Sequence, residues 1–200
     1  MIALATPPPI VSFVGASETA GFGLAQGDPA YPEILARRCS FVAAVDGQVN
    51  TRVIFRPLPP GSFARILFVS QFDAVPTPAV EDLAGWLRPN ERTIMVEAPL
   101  ISAARGEDIA YYQRRLYDVL DQVSSTTGAI IILLHQPKHS EEYTQADGLH
   151  PNERGQEYIA DALEPALQML HLCKSQSTLQ APRTLSTKGH VAGLNKYRDV

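Results

Sequence analysis

The sequence predicts an α/β protein: a flavodoxin-like, doubly wound three-layer α/β/α sandwich around a five-stranded parallel sheet. Three observations predict it. Five short runs are apolar in succession rather than in alternation, the pattern of strands covered by helices on both faces. Other segments carry apolar residues at helical spacing. The two kinds of segment interleave, and 200 residues with 45% hydrophobic content make one domain of ordinary size.

The first strand is expected at Ile10 to Val14, ended by Gly15, and the first helix at Tyr31 to Arg38, entered at Pro32, where proline suits a helix start. Further strands are expected at Phe41 to Val45, Arg65 to Ser70, Thr93 to Glu97 and Ala129 to Leu134. Helices are expected at Ala79 to Leu87, Glu107 to Val123 and Glu153 to Leu172. In the second of these, Ile109, Tyr112, Leu116 and Leu120 form the apolar stripe. Between Asn50 and Phe63, Pro57, Pro59, Pro60 and Gly61 oppose a regular helix, so the second and third strands are expected to be joined by a loop or at most one turn. The domain is expected to occupy residues 1–172, and the polar residues 173–200 to form a surface or mobile extension.

The net charge is −4, with Lys and Arg scattered rather than gathered into a stripe, which argues against nucleic acid or a membrane surface as partner. No stretch reaches the roughly 20 apolar residues of a membrane span, and Met1 to Pro9 lacks the basic and apolar regions of a leader. A cytoplasmic location is the expectation. Cys39 and Cys173 lie far apart; their spacing reveals neither a disulfide framework nor a metal site, and both are expected as reduced thiols. Neither metal nor cofactor is expected, and the oligomeric state is not readable.

Two motifs carry chemistry. In an open parallel sheet, ligands bind beyond the carboxyl ends of the strands. Ser17 stands there, within Val14-Gly15-Ala16-Ser17-Glu18-Thr19-Ala20-Gly21-Phe22-Gly23, whose glycines permit a tight bend. By itself this segment reads more simply as a turn. Near the other end, Asp147-Gly148-Leu149-His150-Pro151-Asn152 precedes the last helix. A carboxylate three residues before an imidazole can accept its Nδ1 proton, fix the tautomer and leave Nε2 to deprotonate a serine. By itself this segment reads more readily as a helix cap with Asn152 at the N-cap.

Together the two motifs resemble the SGNH/GDSL esterase-lipase family. The matching positions are Gly15, Ser17, Thr19, Ala20 and Gly21, then Asp147, His150, Pro151 and Asn152. Gly155, Ile159 and Ala160 resemble the family's terminal helix, and Tyr31 to Ala36 the helix after its first block. The order of elements agrees from about Pro9 to Leu172. The resemblance implies a serine hydrolase or acyltransferase acting on a small acyl ester or thioester. Ser17 would be the nucleophile, His150 the general base and Asp147 its partner.

The resemblance also implies oxyanion donors from the serine N–H, a glycine after the second strand and an asparagine after the third. Here the sequence departs. Asp46-Gly47-Gln48-Val49-Asn50-Thr51 puts Asn50 or Thr51 at the glycine position, unless Gly47 serves after a shift. Ser70-Gln71-Phe72-Asp73 puts Phe72 where the asparagine belongs, and Ala16 replaces the aspartate before the nucleophile. Asn50 or Gln71 could supply a substitute amide. The alternatives are a site remodelled for another acyl reaction and an inactive protein that binds a ligand or partner. Phe72 is either a core residue or an aromatic lip favouring apolar substrates.

Other signals point elsewhere or nowhere. His135 and His139 bracket Pro137, which spoils a helical ligand spacing, although His135 follows a strand and could line the site. His171 and His190 read as a helix-end and a tail residue. The segment Gly15 to Gly23 lacks the lysine of a phosphate loop, leaving nucleotide binding as a second-class alternative. Glu18 reads as a solvated turn residue and Glu97 as a polar group of the cleft. Substrate choice is assigned to loops such as Gln136 to Ala146.

Overall fold

The computed structural model describes residues 6–49, 53, 56–69, 79–87, 91–97 and 109–174. The chain runs β1 (Ile10–Gly15), α1 (Ser17–Ala20), α2 (Tyr31–Arg38), β2 (Val42–Gly47), β3 (Ala64–Val69), α3 (Ala79–Trp86), β4 (Thr93–Glu97), α4 (Ile109–Thr127), β5 (Ile130–Leu133), a 3₁₀ turn (Ser140–Glu142) and α5 (Glu153–Met169). The five strands form one sheet in the order β2-β1-β3-β4-β5, and every neighbouring pair is parallel. This is the expected flavodoxin-like order, with the switch in winding direction at β1.

The period-two alternation of strand side chains divides the core into two layers. Ile66 and Phe68 of β3 enter one layer with Phe13, Tyr31 and Leu35, against Ile159, Leu163 and Leu167 of α5. Leu67 and Val69 enter the other with Val14 and Met95, against Leu83 of α3 and Leu120 and Val123 of α4. Each of these large side chains contributes about 1.5–3 kcal/mol by leaving water. The central strands β1, β3 and β4 are buried as their apolar runs predict. The edge strands are not: Val42 and Val45 of β2 and Leu133 of β5 are exposed, because an edge strand has only one neighbour to hide beside.

Two expectations are corrected. The serine-bearing turn is itself a one-turn helix, α1, closed by Gly21 in the left-handed conformation at φ 67°. Cys39 and Cys173 are not reduced thiols but a disulfide across a sequence separation of 134. The bridge joins the end of α2 to the chain just past α5, and Cys173 packs in the core. The same two helices share a backbone bond from Ser40 N–H to the Leu172 carbonyl. Arg38 reaches Glu157, Asp161 and Glu164 along α5. Sequence distance hid the pairing, because topology alone brings the two helix ends together. Residues 175–200 of the expected extension lie outside the described residues.

Candidate active site

The site is built at the carboxyl ends of the strands from two turns of different construction. In the first, β1 ends at Gly15 and the chain bends through Ala16 into α1, putting Ser17 at the first helical position. Ala16 provides no side-chain cap, so the turn is held by packing instead. A Cβ on Gly15 would lie 1.7 Å from Thr19 Oγ1, and one on Gly47 would lie 2.5 Å from the Ala20 backbone nitrogen. Both glycines therefore exist to let β1, β2 and α1 approach.

The buried Thr19 Oγ1 pairs with the Tyr31 hydroxyl at 2.9 Å. From α5, the wholly buried Gln156 donates to the Glu18 carbonyl at 3.1 Å and accepts from Tyr31 N–H at 2.9 Å. Beneath the turn, Arg56 donates to the Gly15 carbonyl and, at 3.0 Å each, to the carbonyl and Oδ1 of Asp46. The buried Arg56 Nε has no hydrogen-bond partner among the described residues.

In the second turn, Asp147 Oδ1 accepts from Leu149 N–H at 2.9 Å and His150 N–H at 3.0 Å, while Oδ2 lies 2.5 Å from His150 Nδ1. Gly148 makes the bend at φ 67°. Partial burial pushes the Asp147 carboxyl up, but the imidazole and the two amides outweigh it and hold it at about 2. Asn152 is the N-cap of α5, accepting from Gly155 N–H at 3.1 Å, and its amide donates to the Glu142 and Thr144 carbonyls. The capping reading of this motif is borne out, and the same turn sets His150 Nδ1 against Asp147.

Gln145 straps the turns together, donating to the Phe22 carbonyl at 2.6 Å and the Pro151 carbonyl at 3.2 Å. The Phe22 ring, 46% exposed, rests 4.6 Å from the His150 ring. This seats an apolar lip beside the imidazole. Ser17 Oγ donates to Glu18 Oε2 at 3.2 Å. Among the described residues no hydrogen bond joins Ser17 to His150.

Glu18 is not the solvated residue expected. It is buried, and burial pushes its carboxyl up from the usual 4.5 against the opposing effects of its own backbone, the nearby His150 and the Ser17 hydroxyl. Gly47 closes β2 opposite Gly15 and against α1. Asn50, Gln71 and Phe72 lie outside the described residues, and Glu97 ends β4. His135 is exposed at its side chain and gives its carbonyl to the Tyr158 hydroxyl, while His139 pairs with Glu141 on the surface. A cleft of about 380 Å³ beside α5 is bordered by Asp28, Tyr143, Arg154 and Tyr158, and by none of Ser17, Asp147 or His150.

Sequence reasoning missed Gln145, Gln156 and Arg56. Gln145 had a weak signal, standing two residues before Asp147. Gln156 and Arg56 had none, because their partners are distant in the chain.

A parallel five-stranded sheet of this order, carrying these two turns at its carboxyl edge, is the SGNH-hydrolase α/β fold. The chain aligns with a lipase/acylhydrolase from Enterococcus faecalis at a TM-score of 0.65 and 17% identity, covering 85% of this chain and 100% of that one. A member of the lipolytic G-D-S-L family from Veillonella parvula aligns at 0.54 and 15%, covering 80% and 97%. In sequence, the chain is 32% identical over 91 residues to a GDSL lipase of Mycobacterium tuberculosis. That match takes in 44% of this chain and only 38% of the lipase's length. No family model matches. The resemblance to the SGNH/GDSL family therefore holds in fold and in sequence.

Proposed function

We propose that this protein is an ester hydrolase that acts through an acyl-enzyme on Ser17. The observation that carries the reading is the 2.5 Å contact of His150 Nδ1 with Asp147, on a turn strapped by Gln145 to the turn bearing Ser17. With Nδ1 donating to the carboxylate, Nε2 is the acceptor that can take the Ser17 proton, and the carboxylate stabilises the imidazolium that results. Ser17 Oγ then attacks the acyl carbon, His150 returns the proton to the departing alcohol, and water or a second alcohol repeats the sequence in reverse. The choice between water and alcohol separates hydrolysis from acyl transfer. The Ser17 N–H, Gly47 and the amides of Asn50 and Gln71 remain the proposed oxyanion donors. The substrate is a small acyl ester, with the exposed Phe22 ring favouring an apolar group beside His150.

One observation favours a second reading, ligand binding without turnover: Ser17 Oγ is engaged by Glu18 rather than by His150. Hydrolysis of p-nitrophenyl acetate and butyrate separates the two. Wild type is expected to turn over at least one ester, with Ser17→Ala and His150→Ala both at the buffer rate. Folded wild type inert toward both esters and binding them unchanged in Ser17→Ala would favour the second reading.

The Cys39–Cys173 disulfide favours an oxidising compartment over the cytoplasm, where such bonds are rare. No helix among the described residues is long and apolar enough to cross a membrane.

A further inference from the structure

We propose that Glu18 is a catalytic residue that works as a neutral acid, donating a hydrogen bond from its carboxyl to the oxyanion formed when Ser17 attacks an acyl carbon. The inference deepens the hydrolase reading and rests on it.

The geometry comes first. Glu18 Oε2 lies 3.2 Å from Ser17 Oγ, on a side chain buried in the turn. In the tetrahedral adduct the oxyanion is bonded to the carbon that Ser17 Oγ attacks, so a group touching Oγ is within reach of it. The Glu18 carbonyl is held by Gln156 and the neighbouring Thr19 by Tyr31, so the carboxyl is carried by a fixed turn.

Charge decides the protonation state the reaction needs. A carboxylate at this position repels an oxyanion and competes with His150 for the serine proton. A carboxylic acid does neither, and a preorganised donor aimed at developing charge is what an acyl-transfer site requires. Burial favours the acid. The groups facing Glu18 are the Ser17 hydroxyl on its own turn, His150 from the turn before α5, and Tyr31 of α2. On the β2 side Arg56 and Asp46 are paired with each other beside the Gly15 carbonyl.

The proton accounting closes. Ser17 Oγ bonds to the carbon, its proton passes to His150 Nε2, and the carbonyl π pair moves onto oxygen, which accepts the Glu18 O–H hydrogen bond. On collapse the C=O re-forms, the C–O bond to the leaving alcohol breaks, and His150 protonates that alcohol. Glu18 keeps its proton throughout.

The test compares wild type, Glu18→Gln and Glu18→Ala in ester hydrolysis across pH 5–10, with melting curves to establish folding. Glu18→Ala is expected to lose on the order of 10²-fold in kcat with KM little changed, as removal of an oxyanion donor does. Glu18→Gln, whose amide donates at every pH, is expected to stay within about tenfold of wild type. It should also lack the alkaline decline that ionisation of Glu18 imposes on wild type. Kinetics of folded Glu18→Ala within about threefold of wild type, or the same alkaline limb in Glu18→Gln, would overturn the assignment while leaving the hydrolase reading intact. Wild type without turnover overturns both. If Glu18→Ala does not fold, Glu18→Gln decides through its pH profile.

Discussion

The turn bearing Ser17 and the turn bearing His150 each hold one side chain of the proposed site, and they do so by opposite means. The Ser17 turn is held from far away. Gln156 reaches it across 138 residues, Arg56 across 41, and Gly47 makes room for its backbone. The His150 turn is held mainly from within: Asp147 accepts from Leu149 and His150, and Asn152 caps the helix that follows. The first is therefore part of the fold, and the second is a local device set upon it. Their carboxyls differ in the same sense. Glu18 is buried and pushed up, whereas Asp147 is 40% exposed and held at about 2. Changes in the first turn should be felt by stability and chemistry together, and changes in the second by chemistry almost alone.

Among changes that keep Ser17 and His150, the largest effect expected is that of Asp147→Asn on ester turnover, a loss on the order of 10²- to 10⁴-fold, because the amide cannot fix the imidazole tautomer or stabilise its charged form. Its melting temperature should stay close to that of wild type. A large fall in stability would break the contrast, since this turn would then be part of the fold as well.

Gly47→Ala strikes the other turn. The added methyl meets the backbone of Thr19 and Ala20 rather than a flexible side chain. Urea unfolding should show a loss of about 1–3 kcal/mol accompanied by a fall in Ser17 reactivity. Unchanged stability would mean that β2 and α1 can part to admit the methyl without cost.

Removing the disulfide with Cys39→Ser and Cys173→Ser should cost about 2–4 kcal/mol, by freeing the unfolded chain, and leave ester turnover at wild-type level in the folded protein. The bond joins the chain just past the C-terminal ends of α2 and α5, whereas Ser17 opens α1 and His150 precedes the start of α5. Loss of turnover in folded double variant would show that the clamp also positions the site.

The smallest effects are in pH dependence, and their signs oppose. Asp147 has a depressed carboxyl, so its contribution is present above the usual 3.8 and lost as pH falls through about 2. Asp147→Asn should be slightly less stable than wild type above pH 4, and the difference should close toward pH 2. Glu18 has a raised carboxyl, so wild type loses stability as pH rises from 4.5 through its folded value. Glu18→Gln should match wild type below pH 4.5 and surpass it on the alkaline side. Thermal unfolding across pH 2–9 reads both.

The same contrast explains what the sequence reveals. The strands are legible because a central parallel strand is apolar at every position, as Phe13 and the run Ile66 to Val69 are. The His150 turn is legible because its partners lie within a few residues, so Asp147-x-x-His150 is already a spatial statement. Ser17 is legible as a position beyond a strand, but its surroundings are not. Glu18 reads as solvated because a turn ordinarily faces water, and its burial comes with neighbours distant in the chain, among them His150 and Tyr31. Cys39 and Cys173 are silent for the same reason, their meeting being a product of topology. Asn50 and Gln71, the proposed oxyanion donors, lie outside the described residues.

The central claim, an activated serine at position 17, is tested most directly by the intact mass of the protein after exposure to a fluorophosphonate probe. Wild type should gain one adduct, mapped to Ser17 by peptide sequencing, and Ser17→Ala and His150→Ala should gain none. Folded wild type that stays unmodified, or an adduct on another residue, would contradict it.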